Sequence, residues 1–342
     1  MVNIAVLGAG VVGMSTAVCI QNQIPGARIT VYADRFAKDT TSDGAAGIFA
    51  PMMKKVKTKT KEEFRKYIED SFTWFDAICR SVDGPEAGIQ KISGNDVMLK
   101  REEWPLLSNI VYNFREMTEK ELSTYPDHIR YGWAFTTVMV ECRKYLPWLM
   151  RRFRERGGQV VFGTIDSLQQ FSTGYDAVVN CLALGSREVF NDRTMYADRG
   201  HVLRVHAPWM KHFLIVSMPG GDQTYIFPGQ ENVVLGGTHQ KGQEGMDYDD
   251  KIAEDIVGRV AQYVPAMKKA PIERKWVGLR PCRTEVRVEK EICRVGDKSV
   301  KVVHNYGHAG QGICLSWGTA IRATELVREL LHNSPTRRQS KL

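Results

Sequence analysis

Met1-Val-Asn-Ile-Ala-Val-Leu-Gly-Ala-Gly-Val-Val-Gly-Met14 is the stretch whose reading decides the fold. An apolar run from Ile4 to Leu7 opens into Gly8-Ala9-Gly10-Val11-Val12-Gly13, and small residues then predict a helix over Met14–Ile20. Strand, glycine turn and helix in that order are what a dinucleotide fingerprint requires. Gly8 permits the tight turn, Gly10 lets backbone approach a pyrophosphate, and Gly13 lets the helix pack close to the strand. The helix N-terminus presents free N–H groups and the positive end of its dipole to the phosphates. A second strand over Arg28–Ala33 ends at Asp34, about 20 residues past Gly13, where this architecture sets an acid against ribose hydroxyls. A bound adenine dinucleotide is the first expectation.

Length and composition set the bounds. With 342 residues, 43% hydrophobic and 25% charged, the chain has room for two domains or one domain with a large insertion. Seven cysteines, an odd number with no CxxC pair, argue for free thiols in a reducing compartment, against a disulfide framework or a zinc site. Ile4–Ile20 is the stretch that could pass for a signal peptide or a membrane span. It lacks a basic leader, carries three glycines with Ser15 and Thr16, and stops at Gln21 and Asn22, so no membrane partner is expected. The net charge of +8 is concentrated in Lys54–Lys61 and Arg151–Arg156. Neither cluster is interleaved with aromatics as a base-stacking platform would be, which argues against a nucleic-acid partner. The charge is a hint about the sign of a substrate.

Downstream, Thr40-Thr41-Ser42-Asp43-Gly44-Ala45-Ala46-Gly47 reads as a hydroxyl-rich loop. Apolar spacing predicts an amphipathic helix over residues 62–80 with Phe64, Ile68, Phe72 and Phe75 on one face. Further helices are expected over 119–122 (capped by Thr118), 145–156, 250–264 and 318–331. Strands are expected over 92–99, 136–139, 202–205, 224–227, 233–235, 273–280 and 300–305. Tyr175–Gly185 is again a buried strand entering a small-residue turn. The fold class is therefore α/β: a discontinuous Rossmann-like nucleotide domain (1–51, 137–190 and 281–342) interrupted by a mainly antiparallel α+β substrate domain (52–136 and 191–280).

Val302-Val-His304-Asn-Tyr-Gly307-His308-Ala309-Gly310-Gln311-Gly312, followed by Gly318-Thr-Ala320, resembles the signature of the D-amino-acid oxidase family. Supporting stretches are Val31–Phe36, Thr40–Gly47, Val179–Cys181, Ala207–Trp209 and Gly278–Pro281, in family order and spacing, so the resemblance covers essentially the whole chain. Thr224-Tyr-Ile-Phe-Pro-Gly229 and Leu235-Gly-Gly-Thr-His-Gln-Lys-Gly242 bring it nearest the branch acting on acidic substrates. The resemblance implies FAD, held non-covalently and elongated. By position, Gly8, Ala9, Gly10, Val11, Val12 and Gly13 turn under the pyrophosphate and Asp34 binds the adenosine ribose. Arg35, Thr40, Thr41 and Ser42 follow the diphosphate. Cys181 also falls among the cofactor positions. Ala46, Gly47, Ile48 and the run Gly307, Ala309, Gly310, Gly312, Ile313 and Cys314 pass near the isoalloxazine. His304 and His308 flank a Tyr-Gly turn with no carboxylate beside them in the sequence, so no metal is expected.

The implied chemistry is hydride transfer from Cα of a D-amino acid to flavin, reoxidation by O2 to hydrogen peroxide, and hydrolysis of the imine to a 2-oxo acid and ammonia. Arg280, in Gly278-Leu-Arg-Pro281, is the expected fork for the α-carboxylate, because a guanidinium grips a carboxylate bidentately. Tyr225 is expected to donate its hydroxyl to the same carboxylate. No side-chain base is required if the amine enters neutral. Leu214–Thr224, before the Tyr-Ile-Phe-Pro-Gly stretch, is shorter than the lid of relatives acting on neutral D-amino acids and holds no aromatic residue. His239 stands where relatives with acidic substrates carry an arginine for the side-chain carboxylate. Lys54, Lys55 and Lys241 are further basic candidates, each expected to be solvated. An acidic D-amino acid, D-aspartate or D-glutamate, is the expected substrate. An oxidase of neutral D-amino acids, an NAD-dependent dehydrogenase and a non-enzymatic flavin-binding redox module are the competing readings. Ser340-Lys341-Leu342 reads as a peroxisomal address, with an import receptor as partner and the peroxisomal matrix as location.

Overall fold

The computed structural model describes residues 1–217 and 223–332; residues 218–222 of the expected lid and the Ser340–Leu342 tripeptide lie outside the described residues. In chain order the first half comprises β1 (Asn3–Ala9), α1 (Val11–Gln23), β2 (Arg28–Phe36), α2 (Lys61–Cys79), β3 (Ile89–Met98), β4 (Tyr112–Glu116), α3 (Glu119–Leu122), β5 (Tyr131–Val140), α4 (Cys142–Glu155), β6 (Gln159–Phe162) and β7 (Ala177–Asn180). The second half comprises α5 (Ser186–Val189), β8 (Tyr196–Val205), β9 (Phe213–Ser217), β10 (Thr224–Pro228), β11 (Val233–Gly236), β12 (Gln240–Lys241), α6 (Asp250–Ala261), β13 (Ile272–Val295), β14 (Lys298–His308) and α7 (Gly312–His332).

Among the described residues, the strands form one mixed sheet. Its parallel part runs β14-β7-β1-β2-β6, with Ile4 opposite both Ile29 and Ala177. Ile4, Ala5, Val6 and Leu7 of the central strand are wholly buried. Parallel strands covered on both faces read as unbroken apolar runs. The helix α1 is apolar around much of its circumference because it packs against both α7 and α4. The other part runs β4-β5-β3-β9-β10-β11-β8-β13 and is antiparallel except between β3 and β9. The strand β13 joins the two parts, pairing with β8 over Ile272–Cys282 and with β14 over Cys282–Val295, with a register shift between Cys282 and Arg287.

The helix α2 starts at a Thr60 cap, whose Oγ1 accepts from Glu63 N at 3.1 Å, and buries Phe64, Ile68, Phe72 and Phe75. Thr118 caps α3 reciprocally with Glu121. The expected strand 273–280 is the first third of the longer β13. The last helix begins at Gly312, ahead of the expected Gly318, because Gly318 is an interior helix residue whose bare Cα lets α2 pass against it. The strands β4, β6 and β9 were not expected. β4 and β6 are short and largely exposed, so no burial pattern marks them. Among the described residues no helix is long and apolar enough to cross a membrane.

Candidate active site

The turn between β1 and α1 is packed to its limit. Gly8 has φ +103°, and a Cβ there would meet the Cys181 carbonyl; a Cβ on Gly13 would overlap the Gly8 carbonyl. Only glycine meets both demands. Gly10 is the N-cap of α1 and provides no side-chain cap. Val11 N donates to Ser42 Oγ at 3.0 Å, which ties the Thr40–Gly47 loop to the start of the helix. Asp34 and Arg35 pair at 3.5 Å at the end of β2, both well exposed. Such an exposed pair contributes little to stability and leaves the carboxylate open to a ligand.

A cavity of about 720 Å³ begins at this turn. Gly8, Ala9, Gly10, Val11, Val12, Gly13, Asp34, Arg35 and Cys181 line one region of it. Thr40, Thr41, Ser42, Ala46, Gly47 and Ile48 face it from the loop after β2; Gly307, Ala309, Gly310, Gly312, Ile313 and Cys314 face it from the start of α7. Tyr225, His239 and Arg280 line it from the antiparallel part of the sheet. All the expected site residues therefore lie on one surface, contributed by both parts of the sheet. A glycine turn with no room for a Cβ, a helix N-terminus whose N-cap is a glycine and a middle stretch of small apolar residues fit FAD. Its charge is concentrated at the pyrophosphate, and its ring system needs close apolar cover.

Arg280 sits on β13, with its side chain only 18% exposed. Its Nη1 donates to Thr238 O at 2.9 Å and to Asp198 Oδ2 at 3.4 Å, leaving Nη2 and Nε without a partner among the described residues. Gly200 on β8 lies directly beneath the guanidinium, where any Cβ would displace it. Tyr225 on β10 is buried and stacked on Phe227, with ring centroids 4.4 Å apart. Burial pushes its phenol up, so the hydroxyl remains a donor, and it too lacks a partner among the described residues. His239 Nδ1 lies 2.6 Å from Asp198 Oδ2. Burial alone would raise the Asp198 carboxyl; the His239 hydrogen bond and the Arg280 charge outweigh it and hold the group below the usual carboxylate range. This Asp198 link was not legible in the sequence, where no motif surrounds it.

The three lysines separate. Lys54 is exposed and paired with Glu102 at 2.7 Å, as a solvated lysine should be. Lys241 lies over the Tyr196 ring, 4.8 Å from its centroid. All three line the cavity, but Lys55 departs from the expected solvation: it is half-buried, and its Nζ donates to Gln223 Oε1. The cause is local. A tight turn over Met53–Lys55, anchored where Met52 N donates to Gln311 Oε1 at 3.3 Å, turns the consecutive lysines to different partners, Lys54 to Glu102 and Lys55 to Gln223. Burial, then the Arg280 and Lys54 charges, push the Lys55 ammonium down to about 8. Gln223 and Gln311 are cavity residues that sequence reasoning did not single out.

The histidines of β14 also need a correction. A carboxylate does face His304: Glu291, from the paired strand β13, lies 3.0 Å from Nε2. Glu291, Cys293 and His304 bring possible ligand atoms within 4.8 Å of one another. The surrounding hydrogen bonds oppose a metal there. Asn180 Oδ1 accepts from Leu182 N, so Asn180 Nδ2 is the group that donates to His304 Nδ1 at 3.2 Å. His304 Nε2 then carries the proton and donates to Glu291, which Arg287 Nη2 also reaches at 2.8 Å. His308 is buried against Thr319 Oγ1 at 3.1 Å, and burial pushes it down to about 3, so it stays neutral.

The family model for FAD dependent oxidoreductases matches residues 3–326. Human D-aspartate oxidase is 40% identical, the match covering 96% of this chain and 95% of the human one. D-aspartate oxidase 1 of Caenorhabditis elegans is 34% identical, over 97% of this chain and 98% of its own. Glycine oxidase from Geobacillus kaustophilus aligns with a TM-score of 0.79 and 17% identity, over 96% of this chain and 95% of that one, a likeness of fold.

Proposed function

The chain belongs to the family of FAD-dependent oxidoreductases, and on that premise we propose that its cavity carries out the oxidative deamination of acidic D-amino acids, D-aspartate and D-glutamate. The D-amino acid, dioxygen and water become the 2-oxo acid, ammonia and hydrogen peroxide. FAD supplies the hydride acceptor at Cα and passes the electrons to dioxygen. The observation that carries the reading is the convergence of two unsatisfied donor groups, Arg280 Nη2 and Nε and the Tyr225 hydroxyl, on the wall of one cavity.

Arg280 and Tyr225 hold the α-carboxylate, Arg280 bidentately, and so fix Cα against the ring system. Gly200 leaves the space that the guanidinium needs, and Asp198 orients it. His239 forms the wall beside Arg280, braced by Asp198. None of these groups acts as a base: Tyr225 stays protonated, and the amine enters neutral. Gly8 to Gly13, Asp34, Arg35, Thr40, Thr41, Ser42 and Cys181 hold the dinucleotide part of FAD. Ala46, Gly47, Ile48 and the Gly307–Cys314 run cover its ring. In this reading the cofactor domain comprises 1–51, 137–190 and 281–342, and the substrate domain 52–136 and 191–280. The peroxide product and the Ser340-Lys341-Leu342 tripeptide together support import into the peroxisomal matrix; an N-terminally fluorescent fusion that stays diffuse would contradict that location. The activity itself is tested by adding D-aspartate to the yellow protein without oxygen. The flavin absorbance band should bleach, and L-aspartate should leave it intact. Bleaching by L-aspartate alone would overturn the reading.

A further inference from the structure

Arg280, Lys54, Lys55 and Lys241 line the cavity near its substrate end together with His239, and their partners distinguish them. Arg280 and His239 share Asp198, at 3.4 and 2.6 Å. Lys241 rests on the Tyr196 ring at the exposed edge. Lys54 pairs with Glu102, whereas Lys55, half-buried, meets only a neutral acceptor, Gln223 Oε1, and no carboxylate lies within ion-pair distance of it among the described residues. Gln223 is itself held: its Nε2 reaches Met52 Sδ at 3.7 Å, and its carbonyl accepts from Gly237 N. That leaves the amide oxygen facing the ammonium. An ammonium has three N–H donors, so two remain after the Gln223 bond.

A partly buried ammonium with no counter-ion, beside a second cation, is costly when the cavity is empty. The charged groups around it are Arg280 and Lys54, which repel it, and Asp198 and Asp96, which attract it from farther away. Asp96 is buried on β3 and pushed up to about 7, with Ser217 Oγ donating to it at 3.0 Å, so its charge is only partly present near neutrality. Arg280 and Lys55 therefore give the cavity two positive groups and leave one unneutralised. A ligand with two carboxylates answers both, one on each cation.

Resting on the substrate class proposed above, we infer that Lys55 is the specificity-determining residue that receives the side-chain carboxylate of the acidic D-amino acid, with Gln223 holding its ammonium in place. His239 is a positioning residue, because its Nδ1 is already bonded to Asp198 Oδ2. Lys55 has to be protonated for this task. Substrate binding therefore weakens as pH rises through about 8, the value to which burial and neighbouring cations lower the free group.

The test uses the holoenzyme with Lys55→Met and Lys55→Arg, assayed on D-aspartate and its neutral isostere D-asparagine. Malonate binding, read as a shift in the flavin spectrum, provides a readout independent of turnover. Lys55→Met should raise the Michaelis constant for D-aspartate roughly a hundredfold, the loss of one charge-assisted contact. It should weaken malonate similarly and leave D-asparagine within about threefold, by the same reasoning. Lys55→Arg should recover much of the loss. Malonate carries no amine and is fully ionised above neutrality, so its binding isolates the titration of Lys55: in the wild type it should weaken above pH 8, and in Lys55→Met that weakening should be absent. If the wild type prefers D-aspartate and Lys55→Met keeps that preference, or loses both substrates equally, the Lys55 inference is wrong and the substrate class stands. A wild type that prefers D-asparagine overturns the substrate class itself.

Discussion

Arg280 is the residue on which turnover should depend most. Arg280→Leu keeps an apolar stem but removes the guanidinium, and so leaves the α-carboxylate without its fork in a partly buried site. Breaking such a pair costs roughly 3–5 kcal/mol, so kcat/KM should fall at least a hundredfold. The flavin absorbance of the purified variant should be that of the wild type. A variant within tenfold of wild-type efficiency would mean that another residue holds the carboxylate. Gly10→Val acts on the other partner. A side chain there enters the space where Ser42 Oγ already lies 3.3 Å from an ideal Cβ. The variant should fold and purify colourless; full flavin occupancy would contradict the assigned pyrophosphate site. At this scale the sequence was most informative where a residue type has one physical use. Gly8 and Gly13 are legible because a Cβ at either is sterically impossible, and Arg280 because the Gly278–Pro281 stretch resembles the family at a position where only a guanidinium forks. Asp198 was illegible for the opposite reason, and Lys55 stood only as one of three basic candidates that the sequence could not separate. A lysine or an aspartate serves equally on a surface, and only the Met53–Lys55 turn and the pairing of β8 with β13 bring these two to the cavity.

The elements that present the FAD-facing residues are clamped to one another by aromatic contacts. Trp74 on α2 stacks on Trp317 of α7 with centroids 3.4 Å apart and planes 4° from parallel, and its Nε1 donates to Tyr145 of α4 at 2.7 Å. Trp74→Ala removes both, and with them part of the hold on the helix that begins at Gly312 in the cavity wall. Truncating a large aromatic costs about 3 kcal/mol where it is half-buried, the low end of the buried range. The melting temperature should drop by several degrees, and the loss should be at least as large for the protein saturated with FAD, because a loosened α7 binds the cofactor no more tightly. An unchanged melting temperature would show that the stack contributes nothing. Element types were largely readable where periodicity met a cap, as in α2 with Thr60 and α3 with Thr118. They were not readable where a strand is defined by its neighbours. The exposed edge strand β6 has no alternation, and β13 changes partner midway, so its length follows from pairing on both sides.

For the whole molecule, acid stability follows from the buried histidines of β14. Burial lowers His308 to about 3 and, together with the Arg287 charge, also lowers the His304 imidazole. Below an ordinary histidine value near 6.5, the unfolded chain takes up protons that the folded chain refuses. Their contribution to stability is therefore flat above about pH 7 and falls as pH drops through 6 toward 4, the window between the two values. His308→Gln, which keeps a partner for Thr319, should flatten that acid limb; a limb of unchanged slope would remove His308 as a cause. Added FAD should raise the melting temperature of the apoprotein, by about 2.7 kcal/mol of stability at a hundredfold excess over its dissociation constant. The overall α/β class was readable because β1 and its glycine turn admit few alternatives. The way β13 fuses the two sheet parts was not, since strand pairing over long separations leaves no local trace. The central claim, a cavity built for a dianionic D-amino acid, is tested most directly by measuring peroxide production from D-aspartate, D-glutamate, D-asparagine, D-alanine and D-methionine beside their L-enantiomers. The account predicts the highest kcat/KM for D-aspartate, lower values for the neutral D-amino acids and no peroxide from any L-enantiomer. A higher kcat/KM for D-alanine or D-methionine than for D-aspartate would contradict it.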